Sequence, residues 1–580
     1  MRAAAGADIW NGIAEIEARG SASTAGLRGT AQFDDDLTRG RYAKRFAIAV
    51  MGSSEEIYDG STVWAKDISG GVHPYDAPFA RRRAVTSAYL TSRSYLDPRS
   101  KAAIACIGNR TVAGRTFVVI RVVPSGGIPA ELAIDAGTHL LSSVTERLPI
   151  TTSVASYADY RNVGGLVLPF AISSGTKAEP ADGYVVSVRA YQIRRQTRDA
   201  DFGQPAPTRD AVMLDNAVST TVPMTLDFHQ ALVWASIDGR PAMPFVLDTG
   251  GHAILTALAA KALNLTGRGA GESGGAGAGT ISLQYTRIGS VRIGKAKLLD
   301  QPFLVIPYDY SFYERGKRTP LAGILGLEVF ERFATRFDYV NRTITLSPLS
   351  TFRYRGAGTP VPITFQDDMP MAVAAADGHP GLFGLDTGNS GALILFGHFL
   401  QQTGLLERYS GGNLLIGHGT GGTNTGRLGT LRRMTFGGRD LYDVRTDFTQ
   451  MTSGAFSSWT EAGNIGFHVL SRFVPTFDYA AGFVYLDPQT RPFPMRNNLS
   501  GFSLTKNGPA AFDVLAVSPG SVAAGAGIRS GDRIVAVNGK DASYYSWADL
   551  LGILAQPPGT RITLRVTRAN TTNDVVIVLR

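Results

Sequence analysis

"FVLDTGGHAIL" (residues 245–255) and "FGLDTGNSGAL" (residues 383–393) decide how this 580-residue chain is read. In each, apolar residues run straight into Asp-Thr-Gly: Phe245, Val246 and Leu247 before Asp248, and Phe383, Gly384 and Leu385 before Asp386. A short apolar run bounded by turn residues reads as a buried strand. A carboxylate at its end is costly to bury without donors or a partner. The following glycines, Gly250 and Gly388, allow a turn in which no Cβ stands between the backbone and its neighbours. The pattern predicts two strands, each delivering a carboxylate onto a sharp turn.

Both segments lie inside a larger duplication. "LGLEVFERFATRFDYVNRTITLSP" (325–348) and "IGFHVLSRFVPTFDYAAGFVYLDP" (465–488) coincide at Gly, Val, Arg-Phe, Phe-Asp-Tyr, Leu and Pro. Gly466 follows Gly326 by 140 residues and Asp386 follows Asp248 by 138, so the repeat contains both motifs. Its unit is a domain-sized lobe, expected over 222–350 and again over 358–490. Helix-like segments follow each motif, "TALAAKALNL" (256–265) and "FGHFLQQTGL" (396–405).

An Asp-Thr-Gly turn in each of two lobes resembles the aspartic peptidases of the pepsin and retropepsin group. The resemblance implies a bilobal double β-barrel core whose two loops meet at a pseudo-two-fold axis, with Asp248 and Asp386 side by side. Two carboxylates at hydrogen-bonding distance share one proton. The ionised one takes a proton from a water between them, the protonated one donates to the peptide carbonyl, and the water attacks. Titration then belongs to the pair. Thr249 and Thr387 are expected to bond across to the opposite loop, and Gly250 and Gly388 to aim N–H groups at the carboxylates.

The family's hydrophobic-hydrophobic-glycine motif is matched by "ILG" (324–326) and imperfectly by "NIG" (464–466), where Asn464 replaces an apolar residue. Glycine-rich "GRGAGESGGAGAGTISLQY" (267–285) occupies the place of a flap that closes over an extended substrate. Many relatives carry Ser or Thr directly after the motif, where this chain has Gly251 and Asn389. Loss of that donor to the charged form is expected to raise the pair's pKa, giving activity at less acidic pH than in digestive relatives. A lone motif would read as a capping turn; two inside a duplication favour an aspartic endopeptidase. The alternative is a non-catalytic peptide- or lipid-binding envelope protein with degenerate lobes.

Composition agrees with a globular, turn-rich, mainly β protein: 44% hydrophobic and 18% charged residues, with 67 glycines and 29 prolines. At ~150 residues per domain the length points to about four domains. The net charge of +9 is spread along the chain, and clusters such as Arg81-Arg82-Arg83 and Arg194-Arg195 read as solvated surface rather than a nucleic-acid stripe. The one cysteine, Cys106, excludes disulfides within the chain, and in apolar "AAIACIG" it reads as a buried structural thiol. The eight histidines show no metal-ligand spacing, so no metal site and no cofactor is inferred. No stretch reaches the ~20 apolar residues that would cross a bilayer. "MRAAAGADIWNG" lacks a secretory apolar core because Asp8 interrupts it, so the chain is either cytosolic or without its signal.

Two further domains flank the lobes. "TFVVIRVV" (116–123), "GLVLPFAI" (165–172) and "YVVSVRAYQI" (184–193) are strands of a β-rich domain over 1–205, and proline-bearing "FGQPAPTRD" (202–210) is a linker. "YDGSTVWAKDISGG" (58–71) and "DYRNVGGLVLPFAI" (159–172) resemble lipoprotein-carrier-like proteins. That implies a curved antiparallel sheet around an apolar cavity, with either a lipid or lipoprotein ligand or a structural role.

"PQTRPFPMRNN" (488–498) is a second connection. Beyond it, "VSPGSVAAGAGIRSGDRIVAVNGK" (517–540) places two strands around a short helix, and "SWADLLGILAQ" (546–556) a second helix. Residues 500–580 resemble a PDZ domain of the kind attached to bacterial envelope proteases. Gly501, Phe502, Ser503 and Leu504 stand where that family's carboxylate-binding loop begins, implying capture of peptide C-termini. Phe502 and Leu504 read equally well as core residues. By family analogy, the protein is periplasmic or secreted and its partners are polypeptides, not nucleic acid.

Overall fold

The computed structural model describes residues 1–307, 320–491, 493, 498–506, 508–569 and 571–580. It is mainly β, with five sheets among the described residues.

Thirteen antiparallel strands between Glu15 and Arg194 form one sheet, in which sequence neighbours pair except where the first strand, Glu15–Thr24, meets the last, Tyr184–Arg194. The sheet curves around the helix Pro78–Thr91, and the two enclose a cavity of about 500 Å³ lined by Phe33, Phe46, Leu90, Leu141, Tyr157 and Val186. The helix was not foreseen among the strands. Its buried positions are Phe79, Ala80, Ala84, Thr86 and Ala88, mostly small residues, so the apolar stripe is faint in the sequence.

Two readings are corrected here. Cys106 is exposed, not buried: its strand, Ala103–Val112, is the edge of the sheet, and all ten of its residues face solvent. The arginine clusters are not uniformly solvated either. Arg194 pairs with buried Glu15 and Glu17, at 2.6 and 2.5 Å, and Arg83 approaches Glu146.

Each lobe is a β-barrel-like sheet, and the two are sewn together by a six-stranded sheet. The Phe-Asp-Tyr repeats form its middle: Phe333–Asp338 pairs antiparallel with Phe473–Asp478, matching Thr335 with Phe477 and Arg336 with Thr476. Phe245, Phe337, Phe383 and Phe477 belong to one continuous apolar cluster, so the lobes share a core. Within 202–210, Phe202 packs on Ala43 and Ile57, and Asp210 forms a buried ion pair with Arg332 at 2.8 Å; this linker is anchored at both ends. Part of the connection 488–498 lies outside the described residues.

The C-terminal section is a small sheet with the helices Val522–Gly525 and Trp547–Leu554. Asn538 and Gly539 turn with positive φ, and Ser546 with Asp549 forms a capping box on the second helix.

Candidate active site

Each motif strand is locked from both sides. Met243–Leu247 runs parallel to Gly323–Leu325, which runs antiparallel to Ile254–Thr256; His379–Leu385, Gly463–Ile465 and Leu393–Leu395 repeat this in lobe 2. Close crossing explains the glycine of the downstream motif. A Cβ on Gly326 would fall 1.9 Å from the Gly251 carbonyl oxygen, and one on Gly466 would fall 2.6 Å from Asn389 Cγ.

The turns meet between the lobes. Thr249 N–H donates to Thr387 Oγ1 and Thr387 N–H to Thr249 Oγ1, both at 3.0 Å. The hydroxyls donate onward to the Leu385 and Leu247 carbonyls, at 2.7 and 2.9 Å. Both threonines are buried. The grip joins two segments 138 residues apart through four hydrogen bonds.

It brings Asp248 and Asp386 into hydrogen-bonding contact. The Gly388 N–H serves both carboxylates, reaching Asp386 Oδ1 at 2.9 Å and Asp248 Oδ1 at 3.2 Å, while Gly250 N–H reaches Asp248 Oδ1 at 2.7 Å. A Cβ on Gly388 would lie 2.3 Å from Asp248 Oδ2, so the position excludes any side chain. Both aspartates are partly exposed but sit deep among protein atoms. Burial, then the neighbouring negative charge, pushes Asp248 up to about 8. Burial also raises Asp386, against which the Asn464 amide acts first among the groups that lower it.

The expected loss of a donor beside the motif needs correcting for lobe 2. Asn389 N–H donates to Asp386 Oδ1 at 2.9 Å, and Asn464 Nδ2 donates to Asp386 Oδ2 at 2.9 Å. Asn389 Nδ2 in turn donates to Asn464 Oδ1 at 2.7 Å. The two residues that depart from the family pattern in this lobe are partners. In the sequence each looks like a separate defect, and only their shared lobe hints at a pairing.

Histidines form a second group that motif spacing missed. His252, four residues past Asp248, has Nδ1 3.0 Å from Glu328 and Nε2 3.0 Å from Asp368 of lobe 2. His73 of the N-terminal sheet lies 2.7 Å from Glu331 and 3.4 Å from the same Asp368. Burial opposes charge on both rings, but carboxylates on either side prevail: His73 is pushed up to about 10, His252 well above its ordinary value, and Asp368 is held low.

Two hairpins, one from each lobe, meet at their tips. The glycine-rich segment forms Arg268–Ser273 and Ile281–Ile293; its lobe 2 counterpart is Asn413–Gly419 and Gly422–Phe436. Their tips bond to each other, Gly277 N–H to Thr420 O at 2.8 Å and Gly279 N–H to Gly421 O at 2.9 Å. A Cβ on Gly277 would fall 2.3 Å from the Gly421 carbonyl carbon, which explains glycine there.

Each hairpin is also held by a flanking section. Asp182 and Glu179, at the rim of the N-terminal cavity, accept from Glu272 N–H at 3.1 Å and Gly274 N–H at 2.7 Å. Ser503 Oγ accepts from Ile416 N–H at 3.1 Å and donates to Leu414 O at 3.0 Å, while Ser518 Oγ accepts from Leu414 N–H at 2.8 Å. Gly501, Phe502, Ser503 and Leu504 are all buried, with Phe502 and Leu504 in the C-terminal core. Trp547 Nε1 donates to Leu504 O at 3.0 Å, and Phe228 of lobe 1 packs against that indole.

Residues 233–329 match the family model of the aspartyl proteases, and residues 514–568 match that of the PDZ domain. No curated protein matches the chain. Among solved structures, a LolA superfamily protein from Nitrosomonas europaea is 11% identical and covers 33% of this chain and 89% of its own, with a TM-score of 0.24. A putative outer membrane lipoprotein-sorting protein domain from Vibrio parahaemolyticus is 8% identical over 33% of this chain and 89% of its own, at a TM-score of 0.21. A retropepsin-like aspartic protease from Rickettsia conorii is 17% identical over 22% of this chain and 90% of its own, at a TM-score of 0.15. Among the described residues, no helix is long and apolar enough to cross a membrane. The chain is thus protease-like, with one segment similar to the aspartyl proteases and one similar to the PDZ domain.

Proposed function

We propose that the protein is an aspartic endopeptidase in which Asp248 and Asp386 activate a water against a peptide carbonyl. One observation carries the reading: two Asp-Thr-Gly carboxylates share the Gly388 N–H, and a reciprocal threonine pair holds their turns. Burial and mutual repulsion keep one proton on the pair over a wide range. Water supplies the nucleophile, and the chemistry calls for no cofactor.

In this reading residues 1–205 form a carrier-like domain, 222–350 and 358–490 the two lobes, and 500–580 the PDZ domain. Polypeptides are the substrates. The paired hairpins are the gate, and the PDZ and N-terminal domains regulate it through the side chains that hold each hairpin. Peptide C-termini are the ligands proposed for the segment Gly501–Leu504, and a lipid or lipoprotein chain for the N-terminal cavity. Both fit a periplasmic or secreted setting.

The test is degradation of fluorescein-labelled casein by wild type, Asp248→Asn and Asp386→Asn, with and without pepstatin. Each substitution is expected to cost at least ~10³-fold in kcat/KM, since neither carboxylate works without the other. The wild-type rate should fall as pH rises through about 8, where Asp248 gives up the shared proton. Equal turnover by all three proteins would eliminate the dyad. Absence of turnover in all three would leave a binding protein.

A further inference from the structure

The two aspartates are not equivalent, and the difference lies in three side chains. In lobe 1 the residue after the motif is Gly251, the first of the downstream motif is Ile324, and the residue two before the aspartate is Val246. In lobe 2 these are Asn389, Asn464 and Gly384. Ile324 and Asn464 occupy the same register, opposite Val246 and Gly384 respectively on the parallel neighbour. A Cβ on Gly384 would stand 3.3 Å from Met369 Cγ, a tight contact, and 3.6 Å from Asn464 Nδ2, so glycine leaves room beside the amide.

The amides point one way only. Gly391 N–H, which can only donate, bonds Asn389 Oδ1 at 2.8 Å. That turns Asn389 Nδ2 to Asn464 Oδ1, and Asn464 Nδ2 to Asp386 Oδ2. Asp386 thus takes two backbone donors on Oδ1 and an amide donor on Oδ2. Asp248 takes two backbone donors, both on Oδ1, and the lobe 1 counterparts Gly251 and Ile324 carry no side-chain donor. Donors to an ionised carboxylate favour it, and a charge-assisted bond in a buried site is stronger than a neutral one.

We propose that Asn464, oriented by Asn389, decides where the shared proton sits: Asp386 is the ionised base and Asp248 the acid. The assignment rests on the endopeptidase reading above and adds direction to it. Asp386 takes a proton from water as its oxygen bonds the peptide carbon, and Asp248 gives its proton to the carbonyl oxygen. In the tetrahedral intermediate the proton is therefore on Asp386. It passes to the leaving nitrogen as the C–N bond breaks, while Asp248 regains a proton from a hydroxyl of the intermediate. Asn464 touches no substrate atom in this scheme; it is a positioning residue.

The experiment is a pH titration of ¹³Cγ-aspartate NMR signals in wild type, Asn464→Leu and Asn389→Ala, with Asp248→Asn and Asp386→Asn assigning the dyad. The kcat/KM–pH profile on labelled casein is measured beside it. In wild type the carboxyl that ionises first should be the one missing from Asp386→Asn. In Asn464→Leu that step should rise by about one pH unit, as loss of one charge-assisted donor implies, and the acid limb of kcat/KM should rise with it. Asn389→Ala, at a half-exposed site, should shift it the same way by less, and the double variant should match Asn464→Leu. A purely structural role would lower kcat and leave the pH profile in place. A first step belonging to Asp248, or one unmoved in both variants, overturns the assignment. The titration needs no turnover: an inactive wild type sinks the endopeptidase reading, whereas an active one with an unmoved step sinks this one.

Discussion

Asp248 is held where its charge is unwelcome, and stability should record that. Burial and the neighbouring Asp386 lift it from 3.8 to about 8. A carboxyl raised in the folded state costs nothing below its unfolded pKa; the cost then grows with pH until the folded pKa is passed. Between pH 3.8 and 8 the fold therefore bears an increasing penalty that a neutral side chain would not. Asp248→Asn should abolish cleavage yet stabilise the lobes by about 2–4 kcal/mol at pH 7, with no gain near pH 3. Calorimetry at the two pH values checks this; an equal or lower melting temperature at pH 7 would show that the site does not disfavour the ionised form. The aspartates and threonines were legible in the sequence because two copies of one motif can be aligned by eye. Asn464 was not, because its meaning depends on Asn389, 75 residues away, and on a glycine opposite.

Among the elements, one carboxylate at a hairpin tip joins three parts of the chain. Asp368 follows the strand Thr364–Gln366 of lobe 2 and faces His252 beside the lobe 1 motif and His73 of the N-terminal sheet. Glu328, Glu331 and Asp67 surround the same rings, and Arg332 closes the group on Glu331 and Asp210. At the equivalent place on the other lobe carboxylates give way to arginines: His229 stacks on Phe467 beside His468, and burial, with Arg445 nearby, drives these two rings down to about 4 and about 2. With His73 raised to about 10, its contribution is complete below 6.5 and lost as pH climbs through 10, while Asp368, held low, contributes above 3.8. Asp368→Asn should therefore cost most between about pH 4 and 6.5, by about 1–3 kcal/mol given that Asp368 is 34% exposed, and progressively less toward pH 10. Thermal melts across that range measure it; a pH-independent deficit would show that the histidines are not charged there. None of this follows from histidine spacing, because the partners come from three separate elements. Strands and the helices after each motif were readable from periodicity and turn residues. The helix Pro78–Thr91 was not, since alanines carry its buried face.

For the whole molecule, the unexpected feature is that neither of the two paired hairpins is free. The tips bond each other, the first is held by Asp182 and Glu179 of the N-terminal sheet, and the second by Ser503 and Ser518 of the C-terminal domain. Sequence reading did not set the sections against each other, because their contacts join residues far apart in the chain: hydroxyls and carboxylates on backbone groups, an apolar patch around Leu283 and Tyr285, and Phe228 on Trp547. In the proposed endopeptidase, entry of a polypeptide requires the tips to part and at least one flanking contact to let go. Each serine bond to a backbone N–H is worth about 1 kcal/mol net. Removing both in Ser503→Ala/Ser518→Ala should raise the open population of the second hairpin by roughly 10–30-fold. Amide hydrogen exchange at Leu414 and Ile416 should accelerate by that factor while the dyad strands stay protected. Casein cleavage should rise with it, and cleavage of a short peptide, which needs less opening, should rise less. Unchanged exchange across 413–419 in the double variant would mean that the C-terminal domain merely touches the hairpin, and that the bonds at the tips are what hold it.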